Sequence, residues 1–279
     1  MKRSVSAMIY VLSAVIGVAA FAYPFVLPQT AVAYQAHSAD APLLTTFLIV
    51  VSLAVLLVEI QGQAVSAKVV AALGVLVAVT AVLRFIEVVF PVPGGFSPIF
   101  APIILAGYVF GARFGFLMGT LSLVASALVT GGVGPWLPYQ MFAAGWVGMS
   151  AGWLPHPRSQ RLQISLLAGW GLLWGLLFGA IINLYFWPFV VDSSATSWQP
   201  GGTIWEGIGR YAAFYAATSL VWDLGRAAGN VLLILALGNP TVRALARFRD
   251  RFEFKVEGRG QKAEIGPLTA ELLKVKVDV

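Results

Sequence analysis

A chain of 279 residues that is 59% hydrophobic and only 11% charged has too few polar side chains to cover soluble domains of that size. A mean hydropathy of +0.84, spread over recurring apolar runs, requires several membrane-spanning helices rather than one anchor. The absence of cysteine excludes disulfides, thiolate zinc sites, iron-sulfur clusters and Cys nucleophiles, and two histidines, His37 and His156, leave no room for a histidine metal cluster, so neither metal nor cofactor is expected.

In chain order the apolar segments lie at about 7–27, 43–60, 67–89, 99–111, 112–131, 139–154, 163–188 and 208–238, which predicts an all-α, polytopic bundle of eight helices. The first segment follows Lys2 and Arg3 and is itself followed by Ala31-Val32-Ala33, a pattern shared with signal peptides. Its apolar stretch is longer than the usual signal core, so it is read as an uncleaved helix. The run from Pro98 to Gly111 is short for a full span and is expected to be tilted, half-inserted or buried among its neighbours.

With the N-terminus inside, fifteen of the eighteen Lys and Arg residues fall on the cytoplasmic side, leaving Arg84, Arg210 and Arg226. The loops assigned to the outer side, 28–42, 90–98, 132–138 and 189–205, contain no Lys or Arg, which places both termini in the cytoplasm. The net charge of +6 is therefore topological, and nucleic acid is not implied. The chain divides into an N-terminal hairpin (1–63), a membrane core (64–240) and a basic tail (241–279) after Gly238-Asn239-Pro240. The tail either touches anionic lipid or docks a cytoplasmic partner.

Small residues recur four apart in Gly107, Gly111, Gly115 and Gly119, in Gly148 and Gly152, in Gly171, Gly175 and Gly179, and in Gly225 and Gly229, which predicts close helix packing. Ala67 and Ala71 repeat the spacing beside Lys68, as internal packing or as a flat patch for another membrane protein. On the outer side, loop 90–98 is a Pro/Gly segment carrying Phe96 and is suited to act as a lid. The turn after Gly131 brings Trp136, Tyr139 and Gln140 together; this is either an aromatic belt or a site for a planar polar ligand. Asn183, Tyr185, Trp187, Trp198, Trp205, Glu206, Arg210, Tyr211 and Tyr215 cluster at the same boundary. Glu206 with Arg210, and Arg84 with Glu87, are either site charges or mutually satisfied pairs. Asp223, Arg226 and Asn230 share one helix face, which must turn away from lipid.

The stretch from Leu83 to Pro155, with its Gly-Val-Gly-Pro-Trp-Leu-Pro-Tyr-Gln-Met-Phe-Ala turn, resembles the substrate-specific S components of energy-coupling factor (ECF) vitamin transporters. The string from Asp223 to Asn230, followed by Gly238-Asn239-Pro240 and a basic tail, looks like the end of the same family, so the resemblance covers about Ala64 to Phe254. It implies a six-helix core with a vitamin held near the outer face under loop 90–98, in a prokaryotic plasma membrane. It also implies that Ala67 and Ala71 match a small-residue docking motif for a transmembrane coupling subunit, which works with cytoplasmic ATPase subunits. Cobalamin is the first expectation for the vitamin, riboflavin or another flat heterocycle the next. The expected substrate-binding residues are Arg84, Phe96, Trp136, Tyr139, Gln140, Asn183, Trp187, Arg210 and Tyr211, and the two-helix hairpin departs from the minimal pattern.

No G-x-x-x-x-G-K-[ST] phosphate loop is present, so transport energy has to come from a partner or an ion gradient. A secondary transporter predicts inverted repeats, and no convincing duplication is visible. An intramembrane enzyme using Asp223 or Glu206 would lack a nucleophile-base pair.

Overall fold

The computed structural model describes residues 11, 15–26, 43, 46, 47, 50, 67–91, 94–190 and 195–274, with side chains described as far as Arg251. The apolar segment 43–60, the 28–42 loop with His37, and the Ala31-Val32-Ala33 sequence lie wholly or almost wholly outside the described residues. Among the described residues, seven α-helices follow residue 66: α1 (Ala67–Val89), α2 (Phe100–Phe110), α3 (Ala112–Thr130), α4 (Leu137–Ala151), α5 (Gln160–Asn183), α6 (Ile204–Thr218) and α7 (Leu220–Lys274). Before them, residues 15–22 are helical and Tyr23–Val26 form one 3-10 turn. We call the end of the bundle that carries loop 90–98 the upper end, and the opposite end the lower.

Among the described residues, four helical stretches are long and apolar enough to cross a membrane: Lys68–Val89, Ala112–Thr130, Gln160–Asn183 and Leu220–Arg251. α2 is an 11-residue helix with nine residues buried, so this short apolar run forms the centre of the bundle. α1 is peripheral by contrast, with 17% of its apolar window buried against 61% for α3, and it turns Val75, Val79, Val82 and Ile86 outwards.

The most extensive pairings are α3 with α4 and α5 with α7. Both are glycine contacts. A Cβ at Gly107, Gly115 or Gly119 would fall inside a backbone carbonyl of α4, at Gly148 for the first two and at Ala144 for the third. In a bilayer the lipid tails are as apolar as Leu, so backbone approach and dispersion hold such helices together. On α5 the stripe Gly171, Gly175 and Gly179 faces Asn230, Ala227 and Asp223 of α7 in turn, which sets the two helices antiparallel.

The helix ends follow local chemistry. Gly131, in the left-handed region at φ 68°, closes α3, and the Gly132 N–H reaches the Ala127 carbonyl (3.0 Å). Pro138 lies in the first turn of α4, and Ser159 caps α5. The apolar run expected as a single helix over 208–238 is instead two. The break comes at Ser219 (φ −127°), where Thr218 bonds back to the Phe214 carbonyl (2.8 Å) and the Ser219 hydroxyl accepts from Asn183 Nδ2.

Nor does the last helix stop at Gly238-Asn239-Pro240. α7 runs through Pro240, Val242 is buried, and the Arg249 guanidinium donates to the Val109 carbonyl at the C-terminal end of α2 (2.9 Å). The first turns beyond residue 240 therefore pack on the lower end of the bundle.

Candidate functional site

At the upper end the aromatic side chains form one continuous cluster. Tyr139, at the start of α4 and 1% exposed, stacks on Tyr185 at 4.9 Å. Tyr185 meets Phe186, which meets Phe214 of α6. Trp187 lies against Tyr211 (4.8 Å) and Trp198 (5.5 Å), and its indole N–H donates to the Thr196 carbonyl at 2.9 Å. Tyr211 donates to the Ala180 carbonyl of α5, and buried Asn183 donates to Ser219. Of the residues expected from sequence, Tyr139, Trp187 and Tyr211 are thus in one cluster, with Asn183 at the junction of α5, α6 and α7. Flat rings with a few fixed polar groups suit a planar ligand with amide or carbonyl edges.

Loop 90–98 sits directly on α7. Gly94 and Gly95, at φ 85° and 78°, adopt a conformation that other residues rarely take, and it lets the backbone reach the helix. A Cβ at Gly225 would fall inside the Gly94 carbonyl, and one at Gly95 inside the Trp222 carbonyl. Phe96 packs its ring on Gly229, and Ser97 donates to Glu87 Oε2 at 2.8 Å. Glu87 also pairs with Arg84, so Arg84 is the satisfied partner of a carboxylate that ties α1 to the loop.

Trp136 is 38% exposed, and its indole N–H donates within its own turn to the Gly132 carbonyl (3.2 Å). Gln140 is half-buried in the first turn of α4. Glu206 serves α6: its carboxylate accepts from the Thr203 N–H (2.9 Å) and Thr203 Oγ1 accepts from the Glu206 N–H, a capping box. The Thr203 backbone N–H first, then the Thr203 hydroxyl and lastly the Arg210 charge, hold the Glu206 carboxyl below its ordinary value against a partial desolvation that raises it. Arg210 is half-buried one turn further on.

The polar face of α7 is turned inwards. Asp223 and Asn230 are buried, Asp223 pairs with Arg226, and Asn230 Nδ2 donates to the Gly171 carbonyl at 2.9 Å. Arg226 lies against the paired rings of Phe100 (5.8 Å) and Phe178 (5.3 Å), which meet each other at 4.6 Å, and donates to the Gly175 carbonyl at 3.4 Å. This cluster joins α2, α5 and α7 below the loop.

At the lower end, an apolar groove of about 620 Å³ is lined by Ala71, Ala72, Val75 and Leu76 of α1, by Phe110, and by Leu245 and Phe248 of α7. Ala71 is exposed there, and the Ala67 side chain lies outside the described residues.

Sequence reasoning missed the second halves of these contacts. Phe100 and Phe178 beside Arg226, and Phe214 in the cluster, lie in apolar helices with no local pattern to single them out. Only Ser219 had a signal, as a hydroxyl beside Thr218 inside an apolar run. Compared with known proteins, residues 68–238 match a family model described as "ECF transporter, substrate-specific component", a stretch from the start of α1 to the middle of α7. No curated protein and no solved structure matches the chain.

Proposed function

Because the chain belongs to the substrate-specific component family of ECF transporters, a family of transporter subunits and not of enzymes, we propose that it captures a vitamin at the upper end of the bundle. In this reading the upper end faces outwards and both termini face the cytoplasm of a prokaryotic cell, since the loops at the upper end carry no Lys or Arg and fifteen of the eighteen basic residues are assigned to the other side. The observation that carries it is the continuous aromatic cluster around Tyr139, Trp187 and Tyr211, beside a Pro/Gly loop seated on α7.

Phe96 and its loop form the lid, with Arg84 anchoring it through Glu87. Trp136, Gln140 and Arg210 stand at the rim, and Tyr139, Asn183, Trp187 and Tyr211 line the interior. The large, amide-fringed corrin of cobalamin is the first assignment, riboflavin or another flat heterocycle the next. Ala67 and Ala71 give the coupling subunit a flat approach beside the lower groove, and the ATPase subunits supply energy that this chain, without a phosphate loop, does not.

Mass spectrometry of the small molecule that copurifies with the detergent-solubilised protein identifies the substrate directly. Uptake of that compound is expected only when the chain is co-produced with its coupling and ATPase subunits. Equal uptake by the chain alone would refute the coupling.

A further inference from the structure

Residues 15–26 lie outside the stretch that matches the family, yet they pack into the candidate site. A Cβ at Gly17 would lie 2.7 Å from the Phe142 ring and 2.8 Å from Trp146, so this helix rests directly on α4. Phe21, 6% exposed, meets Tyr139 edge-on at 5.0 Å and Trp146 at 5.8 Å. One turn on, Phe25 meets Trp198 at 5.1 Å and Trp187 at 5.9 Å, while Trp187 and Trp198 lie 5.5 Å apart. The three rings are mutually edge-on, at 89°, 61° and 64°. The Trp187 N–H has an acceptor in Thr196, but the Trp198 N–H is buried without one among the described residues. A buried N–H without a partner costs free energy that a ligand acceptor would recover.

We propose that residues 15–26 are a wall of the substrate site, and that the contacting rings of Phe25, Trp187 and Trp198 form a closed aromatic face against which a planar part of the substrate bearing a carbonyl or ring-nitrogen acceptor for the Trp198 N–H rests. Phe25 is then a specificity-determining residue contributed by a segment that the matched family core does not include. The proposal rests on the vitamin-binding reading above. Val15 and Val18, on the outward face of the same helix, are exposed and take no part.

The test uses the full-length chain in detergent, with cyanocobalamin, riboflavin and thiamine as probes in equilibrium dialysis. Phe25→Leu keeps apolar volume but removes the ring edge, and is expected to weaken the bound probe on the order of tenfold. Val18→Leu is expected to change nothing. A Phe25→Leu variant that binds like the unmodified chain overturns the proposal and leaves the vitamin reading standing, whereas an unmodified chain that binds none of the probes removes both. If Phe25→Leu fails to fold, Phe25→Tyr keeps the ring and adds a hydroxyl to that face. It should shift relative affinity among the probes severalfold, and unchanged affinities overturn the role given to Phe25. Intact mass gives a ligand-free arm: retention of residues 1–33 is expected, and a mature chain beginning after Ala33 overturns the proposal.

Discussion

Asp223 is 2% exposed in the apolar part of α7, where its carboxyl group is paired with the Arg226 guanidinium. Removing one partner of a buried pair strands the other, at a cost of about 3–5 kcal/mol, whereas replacing both with apolar residues is often close to neutral. Arg226→Leu is therefore expected to lower stability sharply, and Asp223→Leu combined with Arg226→Leu to recover much of the loss. Thermal unfolding in detergent reads the difference, and additive losses in the double variant would show that the two residues act independently. That Asp223, Arg226 and Asn230 share an inward face was legible from their spacing. The aromatic pair beside Arg226 was not, because Phe100 and Phe178 come from helices remote in sequence.

For single elements, the loop and α6 give separate tests. Gly225→Ala places a methyl inside the Gly94 carbonyl, so loop 90–98 must lift from α7. Hydrogen exchange over Gly95 to Ser97 is expected to speed up. Gly74→Ala in α1, where a Cβ meets nothing within 4 Å, should stabilise by up to about 1 kcal/mol. Equal exchange in the Gly225→Ala variant would mean that the contact does not hold the loop. In α6 the Glu206 carboxyl sits below its ordinary value, so its cap is present above the unfolded pKa and is lost as pH falls through the folded one. Exchange in the first turn of α6, corrected for intrinsic rates, should therefore rise at acidic pH. Glu206→Gln should flatten that dependence, and a persistent acid-dependent rise would assign it to another group.

For the whole molecule, the proposed binding end and the proposed docking end lie at opposite ends of one bundle. Ala71→Trp fills the lower groove beside Phe110 and Phe248 and leaves the Tyr139 cluster untouched. It is expected to abolish copurification of the coupling subunit while the affinity for the copurified small molecule stays within about twofold, a difference of roughly 0.4 kcal/mol. Loss of ligand binding in that variant, with assembly intact, would reverse the assignment of the two ends.

The sequence by itself determined that this is a multi-pass helical membrane protein, because hydropathy and the position of Gly and Pro are local properties that the bilayer reads segment by segment. It placed α1 at 67–89 and α3 at 112–131, within a residue of the structure, and predicted the glycine packing of α3 on α4 and of α5 on α7, whereas Gly225 and Gly229 meet loop 90–98 instead of a helix and Gly111 lies between α2 and α3. Tertiary structure alone decided that α2 is the buried centre, that Ser219 splits one apolar run into two helices, and that α7 continues past Pro240 along the lower end. It also brought Phe21 and Phe25 against Tyr139, Trp187 and Trp198. Apolar side chains facing lipid and facing another helix look alike in sequence. Which of them meet depends on backbone approach between distant glycines, and only the assembled bundle sets that.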